Sequence, residues 1–248
     1  MAIISDIHAN LEALNTVLED IAQRGIRNIC CLGDVIGYGP NPRECIDLVL
    51  ENCQFTIMGN HDFAIFYEPY NFNTAAENAA FWTRQQFESD ADKPRRNRRW
   101  RYLGSMPTRM LTDKFLAVHG SPRRPINEYI FPDDIYSATQ KLAGIFDRVP
   151  HLCFVGHTHV PGVFVEHPDF YSPADLDNRY AIGSEKAVIN VGSVGQPRDH
   201  DPRASYAILH ADAVEFVRLS YDVNVTVEKV RSIDALDNFL GQRLLEGV

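Results

Sequence analysis

The sequence predicts an α/β protein, one domain over residues 1–248 with its strands in two sheets. Three observations carry that prediction. Short apolar runs alternate with amphipathic helices through the first half, the rhythm of a parallel sheet with helical crossovers. From residue 151 onward strand-like runs dominate, which a second sheet accommodates. No linker or internal repeat interrupts the chain, and 248 residues bury a substantial core without staples.

The first strand is the apolar "AII" at 2–4. Asn10 then caps a helix whose Leu11, Leu14, Val17, Leu18 and Ile21 share one face, with Gly25 ending it. "NICCL" (28–32) is the second strand. The next helix opens with Asn41 as cap, Pro42 at its first position and Glu44 closing a capping box. "FTIM" (55–58) is the third strand, and residues 72 to about 104 have helical spacing.

"RMLTDKFLAVHG" (109–120) alternates like a hairpin around Thr112 and Asp113, and 132–149 is predicted as one helix capped by Asp133 or Asp134. Strands follow in "HLCFVGH", "PGVFVEH", "RYAI", "KAVINVG", "ASYAILHA" and "AVEFVRL". The breaker-rich stretch 167–179 is predicted to be a surface loop, and the segment from about 222 to be helical.

Composition narrows the function. With 45% apolar residues the chain is not disordered, and a net charge of −9 argues against nucleic acid as a stable partner. It leaves room for a small phosphorylated substrate, because metal ions supply local positive charge. No apolar run approaches about 18 residues, so no membrane span is expected. The five cysteines (Cys30, Cys31, Cys45, Cys53, Cys153) have no C-x-x-C spacing and an odd count. Reduced thiols and a cytoplasmic location are the expectation, reinforced by the lack of a signal-peptide pattern at the start.

The informative feature is how the apolar runs end. They finish in Ser5-Asp6-Ile7-His8, Gly33-Asp34, Gly59-Asn60-His61-Asp62, His119-Gly120 and Gly156-His157-Thr158-His159. In open α/β sheets ligands bind outside the carboxyl ends of strands, so these endings can converge on one crevice. Mixed imidazole and carboxylate donors suit Zn, Mn, Fe or Ni, whereas an all-oxygen set would suit Mg or Ca. In an extended strand residues i and i+2 point the same way, which lets Asp6/His8 and His157/His159 each act as a pair. A lone Asp or H-x-H is more often structural; the ordered set is what carries the signal.

"SDIHAN", "GDVIGYGPNP", "MGNHD", "AVHGSP", "FVGHTH" and "INVGSVGQPRD", which span residues 4 to 199, resemble the calcineurin-like metallophosphoesterase superfamily. They look most like its branch of small prokaryotic phosphodiesterases and diadenosine-polyphosphate-hydrolase-like proteins. The resemblance implies a four-layer αββα sandwich with two mixed sheets. It implies two metal ions (Mn²⁺, Fe²⁺/Fe³⁺, Zn²⁺ or Ni²⁺), one held by Asp6, His8 and His159, the other by Asn60, His119 and His157, with Asp34 bridging them. His61 matches the family's proton donor to the leaving oxygen. The implied chemistry is attack of a metal-held hydroxide on a phosphodiester or nucleotide-type phosphoanhydride, with a nucleotide among the candidate substrates.

The chain departs from the related protein phosphatases, whose motif resembles "GDYVDRG". Gly37 stands where an Asp would orient the proton-donating His, and Tyr38 where an Arg would grip phosphate. Phosphomonoesterase or protein-phosphatase activity is therefore the alternative, with a non-catalytic scaffold on the same fold as a further one. Oligomeric state is not legible.

Arg198 is a candidate to supply the missing guanidinium. Ser193, in "INVGSVGQPRDHDPR", either lines the phosphate site or sits in a turn that stabilises the second sheet; Val191 excludes a G-x-S-x-G elbow. The basic run "KPRRNRRWR" (93–101) is read as the solvated face of a helix or a subunit contact rather than a polyphosphate site, and His200 as a solvated loop residue.

Overall fold

In the computed structural model, which describes residues 1–69 and 71–248, the first half alternates as the sequence indicates. It runs β1 (Ala2–Ile4), α1 (Leu11–Gln23), β2 (Ile29–Cys31), α2 (Pro42–Asn52), β3 (Phe55–Thr56) and α3 (Asn60–Ala64). Two helices, α4 (Thr74–Glu88) and α5 (Lys93–Ser105), precede the hairpin β4 (Arg109–Leu111) and β5 (Leu116–Val118). After α6 (Asp134–Ser137) and α7 (Thr139–Phe146) come β6 (Leu152–Val155), β7 (Gly162–Val165), β8 (Asp169–Tyr171) and β9 (Arg179–Ala181). The chain closes with β10 (Ala187–Asn190), β11 (Ala204–Leu209), β12 (Ala213–Leu219), α8 (Val223–Arg231) and α9 (Asn238–Glu246).

Two mixed sheets result. One has the order β3-β2-β1-β11-β12-β9 and the other β4-β5-β6-β10-β7-β8. The period-2 alternation of strands decides how they stack. Ile3, Cys30, Ala207 and Phe216 of the first sheet meet Ala117, Phe154, Val163 and Ile189 of the second in one buried core. Their neighbours point the other way: Ala2, Ile4, Cys31 and Ile208 pack under α1 and α2, while Val118, Val155 and Val188 pack under α7. Both faces of each sheet are thus covered, in the order helix, sheet, sheet, helix. Both faces of β1 and β2 being buried explains why those strands read as continuous apolar runs.

Local expectations are met at α1, where the Asn10 side chain accepts from the Ala13 N–H. Elsewhere the structure corrects them. Asn41 makes no side-chain bond to α2, because its Oδ1 accepts from Lys229 Nζ of α8 at 3.2 Å. The helical stretch from 72 breaks in two because Asp92 caps a new helix on the Arg95 N–H. The helix predicted over 132–149 divides at Ala138 (φ −143°, ψ 45°); Asp133 stands at the N-cap of α6 without a side-chain capping bond, and Asp134 turns back to accept from the Phe131 N–H at 2.8 Å. The stretch 167–179 holds an edge strand, β8, and one 3-10 turn at Ala174–Leu176. β8 forms because Phe170 packs on Phe164, anchoring the segment to β7. Among the described residues all five cysteines are free, and no helix is long and apolar enough to cross a membrane.

Candidate metal centre

The carboxyl ends of β1, β2, β5 and β6 open on one crevice, together with the turn after β3, and their loops are laced to one another. Asp6 N–H donates to Gly33 O and His8 N–H to Asp34 O, each at 3.0 Å. Turning the chain so sharply puts Asp6, His8, Asp34, His157 and His159 in the left-handed region, with φ between 48° and 67°. Glycine permits the tightest approach: a Cβ on Gly59 would lie 2.1 Å from Asp34 Oδ1.

Asp6, His8, Asp34 and His159 bring one donor atom each to a common point, and Asp34, His119 and His157 do the same beside it. Asp34 belongs to both sets: its Oδ2 is 3.7 Å from His8 Nε2 and 3.2 Å from His119 Nε2. Asn60 joins the second set with Oδ1 3.2 Å from His119 Nε2. Every metal-ligand position named from the sequence therefore lies in this crevice, and all of them are buried.

The hydrogen bonds of the rings test whether a cation fits. His8, His119 and His159 turn Nδ1 onto the carbonyls of Ile36, Leu32 and Gln196 at 3.3, 2.8 and 2.5 Å. A carbonyl only accepts, so Nδ1 carries a proton and Nε2 of each ring, when neutral, faces inward as a lone pair, the second-shell arrangement of metal-ligating histidines. His8 Nε2 and His159 Nε2 then face each other at 3.1 Å, and Asp6 Oδ1 lies 3.1 Å from His159 Nε2. His157 Nε2 is buried without any partner. Acceptors turned on one another in a buried site repel unless a proton or cation lies between them. The residues fit metal ions.

Charge balance in the metal-free chain follows. Burial lowers His8 and His159 and pushes His157 down to about 3, so these rings are neutral, the form that ligates. His119 goes up to about 9: burial lowers it, but Asp34 and Asp6 raise it more. Burial works against both carboxylates, yet His159 holds Asp6, and His119 holds Asp34, well below the usual range. A metal ion bound there would replace the proton on His119.

His61 is fixed by contacts rather than by a carboxylate. Its N–H donates to Asp34 Oδ1 at 2.8 Å, and its ring lies among Tyr38, His8 and Phe72, with centroids 4.3, 4.9 and 4.5 Å away. Nδ1 is buried and unpartnered against Gly37, where any Cβ would come within 2.4 Å of it. That crowding explains why glycine stands where an orienting Asp was looked for. Burial pushes His61 down to about 4.

Several positioning residues were missed. Asp62 accepts from the N–H groups of Asp34, Gly59 and Val35 at 2.7, 3.0 and 3.1 Å, clasping two loops together. Burial and the neighbouring Asp34 push it up to about 7. Asn190 holds the GHTH turn, donating to Gly156 O at 2.8 Å. A carboxylate inside the apolar "HDFAIF" and an Asn closing an apolar strand were the available signals.

Of the two readings of Ser193, the structure favours the structural one. The residue is fully buried, its hydroxyl donating to Asp6 O at 2.7 Å and accepting from Gln196 N at 2.8 Å, so it braces the Asp6 loop from behind. Arg198 does reach the mouth of the crevice, a cavity of about 790 Å³ bordered by Asn60, His61, His157, Tyr38 and Arg243. His200 is exposed and makes no part of the site.

Comparison with known proteins agrees with this geometry. Residues 1–213 match the calcineurin-like phosphoesterase superfamily domain. An uncharacterized protein of Methanocaldococcus jannaschii is 37% identical over 260 aligned residues, covering 100% of this chain and 98% of its own. The crystal structure of a metallophosphoesterase from Sphaerobacter thermophilus is 39% identical, with a TM-score of 0.83 and the same coverage of both chains. A hypothetical protein from Pyrococcus horikoshii OT3, 18% identical over 100% of this chain and 98% of its own, shares the fold with a TM-score of 0.73.

Proposed function

Because the chain belongs to the calcineurin-like phosphoesterase superfamily, we propose that it hydrolyses a phosphodiester or a nucleotide-type phosphoanhydride at a dinuclear metal centre. Asp6, His8 and His159 would hold one ion, Asn60, His119 and His157 the other, and Asp34 both. Mn²⁺, Fe²⁺, Zn²⁺ and Ni²⁺ all suit this donor set. When bound, such ions supply Lewis-acid polarisation of a phosphoryl oxygen and a water acidic enough to deprotonate near neutral pH. The observation that carries the reading is Asp34 shared between two sets of inward-facing lone pairs.

The chain's own residues do the rest. Arg198 offers a guanidinium to substrate phosphate at the mouth. His61 is neutral at rest, and an anionic phosphoryl group beside it raises its pKa, so that it gains a proton with substrate and returns it to the leaving oxygen. A diester preference over monoesters is supported by Tyr38 and Gly37, which supply neither a guanidinium fork nor a carboxylate. The unit acting is the whole chain, 1–248, and the buried free thiols favour a reducing, cytoplasmic setting.

The test is hydrolysis by chelator-stripped protein of bis(p-nitrophenyl) phosphate and of p-nitrophenyl phosphate, with and without added Mn²⁺. Turnover restored by metal, faster on the diester, is expected. A faster monoester would make the chain a phosphomonoesterase. Metal binding without turnover of either would favour a scaffold.

A further inference from the structure

The cavity that opens on His61 and His157 is rimmed by Arg124, Arg198 and Arg243, and among the described residues no Asp or Glu side chain lines it. Arginines elsewhere in the chain are paired, Arg123 with Glu128 at 2.6 Å and Arg218 with Asp199. Among the described residues no carboxylate side chain lies within 4.0 Å of the guanidinium of Arg198 or Arg243, both of which line the cavity. Arg198 Nε is buried without a partner, and its guanidinium sits 5.9 Å from the Tyr38 ring centroid.

Arg243 is held in place from behind. Leu240, one turn earlier on α9, packs with Tyr38, Ala76 and Ala79, which seats that face of the helix against the cavity wall. Nε of Arg243 donates to a main-chain oxygen of Val248, and its guanidinium lies 5.5 Å from the Phe239 ring. Burial and then Arg198 push Arg243 down to about 10, the mark of two positive groups set close together. Holding them there costs free energy that an anion between them would offset. The match to the family ends at residue 213, so Arg243 comes from a part of the chain beyond it.

We infer that Arg198 and Arg243 form an anion subsite for a second phosphoryl group, so that the substrate is an organic phosphate carrying at least two. Resting on the proposed phosphoesterase reading, this assigns one phosphoryl group to the metal centre and the other to the arginine pair. Planar guanidinium forks match phosphate oxygens, and a metal pair engaging a single phosphoryl group has no use for cations supplied from α9.

Calorimetric titration of the full chain at fixed free Mn²⁺, with AMP and with α,β-methylene-ADP, tests it without depending on turnover. The diphosphate analogue is expected to bind about tenfold or more tighter than AMP, the scale of a charge-assisted contact. Arg243→Gln should remove most of that preference by weakening the analogue, and Arg243→Lys should keep part of it. Circular dichroism of each variant shows that it is folded. Equal binding of the two probes by the native chain, or an undiminished preference in Arg243→Gln, overturns the subsite. Failure to hydrolyse either bis(p-nitrophenyl) phosphate or p-nitrophenyl phosphate would instead sink the phosphoesterase reading while leaving this comparison intact.

Discussion

At the scale of the residue, the site is built from side chains that a free choice of backbone would not place there. Asp6, His8, Asp34, His157 and His159 all sit at positive φ, a conformation costing about 1–3 kcal/mol each when it is held strained. Asp and His tolerate that region better than branched residues do, which is one reason these types recur at the strand ends. Residue types and their order made the ligands legible in the sequence. Whether a polar residue faces the crevice or braces it from behind was not legible: Ser193 and Asp62 are both polar residues beside ligand loops, yet both act through backbone groups. Asp34 gives the decisive variant. Asp34→Asn keeps the shape and the bond from the His61 N–H while removing the charge that both donor sets share. Turnover should fall about a thousandfold or more, equivalent to about 4 kcal/mol of barrier. Bound metal per chain, measured by elemental analysis, should fall with it. Native turnover at native metal content would remove Asp34 from its shared role.

At the scale of the element, periodicity found the helices but not their breaks, because breaks depend on partners distant in sequence. The basic run 93–101 shows this. Read as a solvated face, it matches the structure at Arg95 and Arg98, which are exposed, and fails at Arg99, which is only 3% exposed. Arg99 reaches from α5 to Asp47 on α2 at 2.6 Å and to Asp90 at 2.5 Å, while Trp100 packs edge-on against Phe66 and Phe87. No local pattern announces a partner 52 residues away. Arg99→Ala leaves Asp47 and Asp90 without their cation. Since both carboxylates are partly exposed, the expected loss is about 3 kcal/mol, toward the lower end for breaking a buried pair. Urea unfolding should show the midpoint falling at unchanged slope, with phosphodiester turnover per folded molecule retained because α5 lies outside the crevice. An unmoved midpoint would mean that the pair adds nothing to the docking of α5.

At the scale of the whole molecule, two facing sheets bring loops from the first and second halves of the chain to one crevice of buried side chains, and its titration should be readable in global stability. The late strands were recognisable one by one, but not that β9 joins the sheet of β1 while β7, β8 and β10 build the other, since pairing is set by packing across the chain. What the shared core buries includes histidines that folding keeps neutral. Folded His61 stays uncharged down to about 4 and His157 down to about 3, and burial lowers His8 and His159 too, against 6.5 for an ordinary ring. Between pH 6.5 and 4 the unfolded chain therefore binds protons that the folded chain refuses. Stability falls with falling pH there, by up to about 1.4 kcal/mol per unit for each of His61 and His157, with His8 and His159 adding in the same direction. Asp62 opposes this: raised from 3.8 to about 7, it keeps a proton in the folded state that the unfolded state releases, so its contribution is lost as pH rises through 7. His119, raised to about 9, contributes fully below 6.5 and loses that contribution as pH climbs through 9. Four histidines against one aspartate on the acid side leave a steep acid limb, and His119 a shallower alkaline one. Urea midpoints of chelator-treated protein from pH 4 to 9 should peak near 6.5–7 and drop faster toward acid. A profile flat between 6.5 and 4 would show that the crevice rings take up protons without unfolding, and with that the cation-seeking character of the site would be lost.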